Sequence, residues 1–345
     1  MSSYKGGSME KCKGMVDLLP EYVRKLRYLE QIFYATCSQK GFNEVRTPTI
    51  EYLHLYTASG LLTPEMLSGV YSFLDWDGWS GERVVLRPDS TIPIMRVFLE
   101  NFQNREIGRF FYIQNVFRFE STGKETRERW QCGAELIGDA QPRADVEVIL
   151  LAYEVLSKLG LKPITVQISH VGVLKAILSE AGIADSEQIS ILEQIAKGQQ
   201  EVLAKALAAS SQLRELAPLI NITGKSPEVI KNIKAVVAYP KIAPHLTNLE
   251  HIVEVLSQKE CNYDIKLNSG IRFEYYTGST FEFYIGERRV GGGGRYDQLA
   301  SLIGGKEYPA VGFALEIDPI LTAMGNLERK PKQSLPLKRL SAKGR

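Results

Sequence analysis

The chain contains 345 residues, of which 44% are hydrophobic and 24% are charged, a composition that excludes disordered and collagen-like proteins. Its formal net charge is +2, so no global positive field draws in nucleic acid. The four cysteines are Cys12, Cys37, Cys132 and Cys261. They form no CxxC pair and have no histidine at zinc-ligand spacing, so we expect reduced thiols, a cytoplasmic location, no metal site and no resident cofactor.

Neither end of the chain has the pattern of a membrane segment. No apolar run reaches the roughly 20 residues that a transmembrane helix needs, and the polar start lacks the apolar stretch of a secretory signal. Residues 1–14 are polar and glycine-rich, and residues 327–345 are rich in lysine and arginine. We therefore expect two flexible tails on a protein without membrane contact.

The central part begins with a helix and continues with strands. Apolar residues at steps of three and four predict an amphipathic helix over residues 20–40, ended by Gly41. Short β-branched or aromatic segments bounded by turn residues then predict strands of a mostly antiparallel sheet. These strands cover residues 84–86, 110–117, 132–137, 280–285 and 288–290.

A long helical stretch lies between these strands. Helical spacing over residues 145–159 ends at Gly160, and a strand-like segment follows at 165–168. Patterns rich in leucine and alanine predict further helices before strand texture resumes at 263–273. These further helices cover residues 171–182, 186–219 and 227–237.

Together the patterns predict an α+β fold in which helices interrupt a sheet that is completed later in the chain. No internal repeat of solenoid length is present. We divide the chain into a core domain (15–168 and 260–326), a helical insertion (169–259) and the two tails (1–14 and 327–345).

Two prolines frame an acid and a hydroxyl in the segment LRPDSTIP, residues 86–93. Proline restricts the backbone, so Asp89 and Thr91 are held in place, and together they suit the capture of an ammonium group. The alternative is purely structural. In that case, Asp89 caps the helix that starts near Ile92.

A predicted hairpin places polar side chains on one face of the sheet. Strand alternation brings Gln131, Gly133 and Glu135 to the same face. If that face is covered, its amide and carboxylate need polar partners, which favours a small zwitterionic ligand over a dry core. Arg118, two residues before Glu120, either clamps an anion such as phosphate or carboxylate or forms a salt bridge within the hairpin.

Two later segments contain turn residues and glycines. A turn at Thr277-Gly278 separates two aromatic strands. Four consecutive glycines, 291–294, follow a predicted strand and allow close approach to a ligand or to another element, but their spacing is not that of a phosphate loop. Arg295 comes next and either binds an anion or braces the sheet.

The order of these segments resembles the catalytic domain of the histidyl-tRNA synthetase family. The likeness extends over residues 13–324. The segments that carry it are KGMVDLLP (13–20), GFNEVRTPTIE (41–51), LRPDST (86–91), FRFE (117–120), QCGAE (131–135), YYTGSTFE (275–282), GGRYD (293–297) and PAVGFA (309–314). The resemblance implies the class II synthetase fold: an antiparallel sheet flanked by helices, an inserted helical domain and a dimer interface around residues 41–51.

The resemblance also implies a binding site for histidine. Its contacts map onto Asp89, Thr91, Gln131, Glu135 and Tyr276, with Asp89 in place of the family's more usual glutamate. Arg118 and Arg295 stay possible anion-binding residues beside that site.

Three positions depart from the synthetase pattern. Pro319 stands where the family has an arginine that lies against ATP, and Glu316 stands where it has a glycine. A carboxylate repels a triphosphate, and proline supplies no guanidinium. The family's activating arginine maps onto Ile271, with Arg272 one position away and hence on the opposite face of a strand. We also expect no anticodon-binding domain, because few residues follow this region.

A synthetase body with these departures resembles the regulatory subunits of ATP phosphoribosyltransferase. That resemblance implies a non-catalytic subunit that joins a short-form catalytic subunit in a hetero-octamer and forms a self-dimer within it. It implies histidine as the effector, feedback in the first step of histidine biosynthesis, and no tRNA as partner.

Two other interpretations stay open. One is a truncated synthetase-like enzyme that still adenylates histidine or another amino acid, against which Ile271 and Pro319 argue because a missing cation at developing phosphate charge slows the reaction by orders of magnitude. The other is an RNA contact through the basic tail. Short lysine-rich termini are usually only solvated.

Overall fold

The computed structural model describes residues 11–58, 67, 69–76, 81–120, 122, 125–196, 199, 201–208, 223–236, 239–267 and 276–325. The predicted tails lie outside the described residues, apart from positions 11–14. The described strands are β1 (Asn43–Glu44), β2 (Ile50–Tyr52), β3 (Ser72–Trp76), β4 (Gly81–Leu86), β5 (Gly108–Phe117), β6 (Glu128–Ile137), β7 (Ile164–His170), β8 (Thr223–Gly224), β9 (Tyr263–Lys266), β10 (Ser279–Ile285), β11 (Arg288–Arg295) and β12 (Ala310–Glu316).

The predicted helices are present where the structure describes their residues, although their ends differ and the described part of 186–219 forms two helices. The helices at residues 53–58, 243–258, 299–302 and 317–323 have no predicted counterpart. The described helices are α1 (Pro20–Gln39), α2 (Leu53–Ala58), α3 (Thr91–Asn101), α4 (Pro142–Lys158), α5 (Val171–Glu180), α6 (Asp185–Ala196), α7 (Glu201–Ala208), α8 (Glu228–Val236), α9 (Ala243–Gln258), α10 (Leu299–Leu302) and α11 (Ile317–Ala323). The helix expected from residue 145 begins earlier because Pro142 lies in its first turn, where no backbone N–H donor is needed. No helix within the described residues is both long enough and apolar enough to span a membrane.

Nine strands form one sheet in the order β1-β5-β6-β12-β11-β10-β7-β9-β8, and β2, β4 and β3 form a smaller one. The expected antiparallel pairing is confirmed along most of the large sheet. Two pairs of adjacent strands are parallel, β1 with β5 and β7 with β9. The predicted hairpin is confirmed as β5 and β6, which pair over ten residues with Gln114 opposite Gln131.

One face of the large sheet is covered by helices. Helices α1, α4 and α11 pack against it. The Phe33 ring of α1 meets the rings of Phe111 and Phe313 edge-on, with centroids 5.9 and 6.3 Å away. Alternate residues of each strand therefore point into this apolar layer, and the residues between them face the other side of the sheet.

The helices of the predicted insertion share their core with the sheet. Helix α9 packs on α4, and its buried residues Leu249 and Ile252 belong to the same apolar cluster as Phe33. Strand β8 lies within the predicted insertion and pairs with β9. The domain boundaries at residues 169 and 259 stay a prediction. The buried apolar layer is continuous across them.

The glycine run lies inside a strand, which corrects the expectation that it follows one. Strand β11 continues through all four glycines to Arg295. The reason is steric, because a Cβ atom on Gly293 would lie 2.0 Å from the carbonyl oxygen of Gly312 on β12 and 2.7 Å from the Phe281 ring on β10. The glycines therefore allow close packing between strands.

A buried ion pair fastens α4 to the glycine-rich strand. The Arg295 Nε atom lies 3.1 Å from a carboxylate oxygen of Asp145, and the two side chains are 8% and 2% exposed. The guanidinium also donates to the backbone carbonyls of Asp139 and Gln141, and Ser279 donates to Asp145. Every polar group of this cluster is thus satisfied by the protein itself.

We expect Asp145→Asn to lower the free energy of unfolding by about 3 kcal/mol, because the buried guanidinium loses its main counter-charge. The matched control is Glu147→Gln on the same helix, whose partner Arg109 is a third exposed. That change should cost less than about 1 kcal/mol. Urea unfolding of both variants checks this, and equal losses would show that the Asp145 pair does not fasten the helix.

Candidate functional site

A pocket lies on the face of the large sheet that α1 does not cover. The register places Gln131, Gly133 and Glu135 of β6 opposite Glu316, Ala314 and Gly312 of β12. The expected shared face of the three β6 residues is therefore confirmed by the pairing. The lining residues come from four strands, from the first residue of α3 and from four connecting segments: Asp89, Thr91, Arg118, Gln131, Tyr276, Phe281, Glu282, Arg289, Gly292, Gly293, Tyr296, Gly312, Phe313, Ala314 and Glu316.

The segment before α3 caps that helix and also lies at the pocket. Asp89 accepts a hydrogen bond from the backbone N–H of Ile92 at 3.0 Å, as a cap of the first helical turn does. The same residue lines the pocket, together with Thr91. Burial raises the pKa of the Asp89 carboxyl, against the effect of the backbone hydrogen bonds and of the Arg118 charge. The structural and binding readings of this segment are thus compatible.

Glu135 forms the floor of the site. It is fully buried, and Thr91 Oγ1 donates to its Oε1 at 2.9 Å while the Tyr296 hydroxyl donates to its Oε2. Gly312 lies opposite on β12, where a Cβ atom would come within 1.6 Å of Oε2. Burial raises the pKa of Glu135 to about 8, although both hydroxyls oppose that shift.

The remaining predicted contacts also lie at the pocket. Gln131 and Tyr276 line it, and both are largely buried. Four of the five residues expected to contact histidine thus line one pocket, and the fifth, Glu135, lies directly beneath Thr91. Their contact with histidine stays a prediction.

The two candidate anion-binding arginines have different positions. Arg118 lines the pocket, and its Nε donates to the Pro88 carbonyl at 3.1 Å. Arg295 is not among the lining residues, and its guanidinium is engaged by Asp145 and Asp297. The contacts of Arg295 therefore correspond to the bracing alternative, because its donors are directed to protein acceptors.

A group of charges in the lining of the pocket has no signal in the sequence. Arg289 donates from Nε to Glu282 at 2.6 Å and from Nη1 to Glu316 at 2.7 Å. We call these three residues the charged triad. Glu316 departs from the synthetase pattern, but the RR dipeptide at 288–289 does not indicate that Arg289 faces a pocket.

Some predicted features cannot be placed. Ile271 and Arg272 lie outside the described residues, as does most of the aromatic strand expected before Thr277. Pro319 lies within α11 and is not a lining residue. In the part of the chain that the structure describes, no three histidine, cysteine, aspartate or glutamate side chains come together as metal ligands.

Comparison with known proteins places these features in a family. Residues 14–320 match the histidyl-tRNA synthetase family. A regulatory subunit of ATP phosphoribosyltransferase from Dehalococcoides mccartyi (strain BAV1) is 45% identical over 314 residues, which cover 90% of this chain and 76% of the relative. A histidine–tRNA ligase from Methanococcus aeolicus is 34% identical over 342 residues, covering 95% of this chain and 80% of the ligase.

A solved structure gives the same answer for the fold. The crystal structure of an ATP phosphoribosyltransferase regulatory subunit/histidyl-tRNA synthetase from Bacillus halodurans superposes with a TM-score of 0.82 at 27% identity, covering 93% of this chain and 84% of the other. The predicted α+β, class II synthetase-like fold is thereby confirmed. The chain belongs to the histidyl-tRNA synthetase family and, within it, to the regulatory subunits of ATP phosphoribosyltransferase.

Proposed function

We propose that this chain is a non-catalytic subunit that binds histidine in the pocket described above and controls a short-form ATP phosphoribosyltransferase catalytic subunit. The observation that carries the proposal is the convergence of Asp89, Thr91, Gln131 and Tyr276 above a buried carboxyl group, Glu135. The names of the relatives support the choice of partner. Histidine feedback on the first step of histidine biosynthesis follows from the two together.

The pocket has the polarity of a site for a charged small molecule. Its lining combines aromatic side chains with a few charged and polar groups. Asp89 supplies a carboxylate for the ligand's ammonium group, and the Gln131 amide supplies both a donor and an acceptor. An α-amino acid matches this set of groups.

Glu135 determines which hydrogen bonds the floor can offer. When Glu135 is ionised, the hydroxyls of Thr91 and Tyr296 both donate to its carboxylate, so each hydroxyl oxygen can act only as an acceptor for a further partner. A ring N–H group satisfies such an acceptor, and an ether or carbonyl does not. The neutral imidazole of histidine supplies one ring N–H donor.

The same geometry makes ionised Glu135 the binding-competent state. Before ligand arrives, burial raises the pKa of the carboxyl group to about 8, so the group is mostly protonated below that pH. A ligand that donates to Thr91 or Tyr296 favours the ionised form, and therefore expels a proton from Glu135. Histidine binding should thus depend on pH in a window set by this residue.

Assembly follows from the proposed role. A regulatory chain needs a surface for its catalytic partner, and we propose a hetero-octamer in which this chain also pairs with itself, as the family resemblance implies. No tRNA takes part. The chain supplies the histidine-sensing site, and all phosphoribosyl transfer takes place on the partner.

The proposal is tested with a purified short-form catalytic subunit, assayed with and without this chain at increasing histidine. We expect the chain to raise the activity and histidine to inhibit the complex. Glu135→Ala should raise the histidine concentration for half-inhibition at least about tenfold, roughly 1.4 kcal/mol of binding, while the complex stays assembled. Glu128→Ala, on the same strand and outside the pocket, is the control. Unaltered feedback in the Glu135 variant would remove this pocket from the mechanism.

The pH dependence of histidine binding tests the role of Glu135 separately. Between pH 6.5 and 8 free histidine is mostly a neutral imidazole, whereas Glu135 is mostly protonated in the free protein. Since binding requires loss of that proton, affinity should rise by up to about tenfold per pH unit toward pH 8 and level off above it. Calorimetry on the wild type and on Glu135→Gln should show the slope in the former only. Equal slopes would contradict the proposed protonation change.

The enzyme alternative predicts a different result. A chain that adenylates an amino acid catalyses histidine-dependent exchange between ATP and pyrophosphate without any partner. We expect no exchange above background. Robust exchange by the isolated chain would replace the regulatory proposal with the enzymatic one.

A further inference from the structure

We propose that Arg289 is a latent anion-binding group, held by Glu282 and Glu316, and that Glu316 thereby makes the pocket select amino acids over phosphorylated ligands. The inference deepens the proposed function, on which its physiological meaning rests.

The contacts of Arg289 occupy one donor on each of the two guanidinium edges that can bind an anion through two hydrogen bonds. Nε donates to Glu282 at 2.6 Å and Nη1 to Glu316 at 2.7 Å, so a protein carboxylate is present at both edges. A phosphate or a carboxylate ligand would need one of these two donors for a bidentate contact. All three side chains line the pocket, so the competition takes place within the site.

A β-bulge brings Arg289 to this face. On β10 and β11, Phe283 pairs with Gly291 but Tyr284 pairs with Arg289, so Val290 is an extra residue. An extra residue reverses the alternation of side chains beyond it. Arg289 consequently shares a face with Glu282 and the pocket, where a regular strand would have turned it toward the covered face.

The charges of the lining residues favour a cation or a zwitterion. They comprise three carboxylates, Asp89, Glu282 and Glu316, and two guanidinium groups, Arg118 and Arg289. Glu316 cancels the charge of one arginine, and without it the lining would hold equal numbers of both signs. A polyanion such as a triphosphate therefore meets repulsion that a single amino acid does not.

The triad can lose Glu316 without losing its structure. Glu282 is 8% exposed and Glu316 is 33% exposed, so the more buried partner stays with Arg289 when Glu316 is removed. No charge is then left buried without a counter-charge. Substitution of Glu316 should thus change ligand choice and leave the fold intact.

The experiment is calorimetric titration of the full chain with inorganic tripolyphosphate and, separately, with ATP. We expect the wild type to bind tripolyphosphate at least tenfold more weakly than Glu316→Ala does. The double variant Glu316→Ala/Arg289→Ala should lose that gain. If Glu316→Ala does not fold, Glu316→Gln, which keeps the shape and removes the charge, decides in its place.

The chain offers a matched control for the loss of a carboxylate beside an arginine. Arg96 is also held between two carboxylates, Glu51 at 2.8 Å and Glu100 at 2.7 Å, and none of the three lines the pocket. Glu100→Ala should therefore bind tripolyphosphate no better than the wild type. An equal gain in this control would show a general charge effect and overturn the proposal.

Two further results would overturn the assignment of Arg289. One is wild-type binding of tripolyphosphate as tight as that of Glu316→Ala. The other is a gain that survives replacement of Arg289. Histidine titrations run in parallel separate the two proposals. A wild type that does not bind histidine contradicts the proposed function alone. Histidine binding by the wild type, without tighter tripolyphosphate binding by Glu316→Ala, contradicts only the role of the triad.

Discussion

The pocket depends on one carboxyl group placed in the middle of a sheet. Glu135 is fully buried at the pairing of β6 with β12, where water cannot solvate it. An unpartnered charge there would be too costly, so the hydroxyls of Thr91 and Tyr296 and the space over Gly312 are arranged around it. The site is thus held by the need to satisfy a buried polar group.

That requirement connects distant parts of the chain. Thr91 begins α3, Glu135 lies on β6 and Tyr296 directly follows β11, so one carboxyl group joins three elements. The neighbouring residue of Tyr296, Arg295, is turned to the other side and holds α4 through Asp145. Tyr296 therefore stabilises the site, and its neighbour Arg295 stabilises the helical layer through a separate contact. A ligand on the pocket face can change the first contact without breaking the second.

The sequence predicts the part of the site that depends on alternation and on local turns. Gln131 and Glu135 lie four positions apart on a regular strand, so their shared face follows from a period of two. Asp89 precedes a helix, which made both its capping and its lining role foreseeable. The family resemblance then brings Tyr276 to the same place, which no local pattern could do.

Other residues escaped prediction for definite physical reasons. Bracing is one of the two roles that the sequence leaves open for Arg295, but its partner Asp145 lies 150 positions earlier, and spacing carries no signal of such a pair. The face of Arg289 depends on a single extra residue in β11, which inverts the pattern from which faces are inferred. The glycine run was expected to follow a strand because glycine is a poor strand former, yet the close approach of three strands at Gly293 requires it there.

Both arginines in the lining of the pocket lie close to protein carboxylates. Arg118 lies beside Asp89, and Arg289 lies between Glu282 and Glu316, so each positive charge in the lining has a protein carboxylate nearby. Catalysis at phosphate groups needs cations that are aimed at the reacting charge and not neutralised beforehand. Binding of a zwitterion needs only a balanced pair of charges at the right spacing. Under the proposed function, the carboxylates beside these arginines therefore favour recognition of an amino acid over its activation.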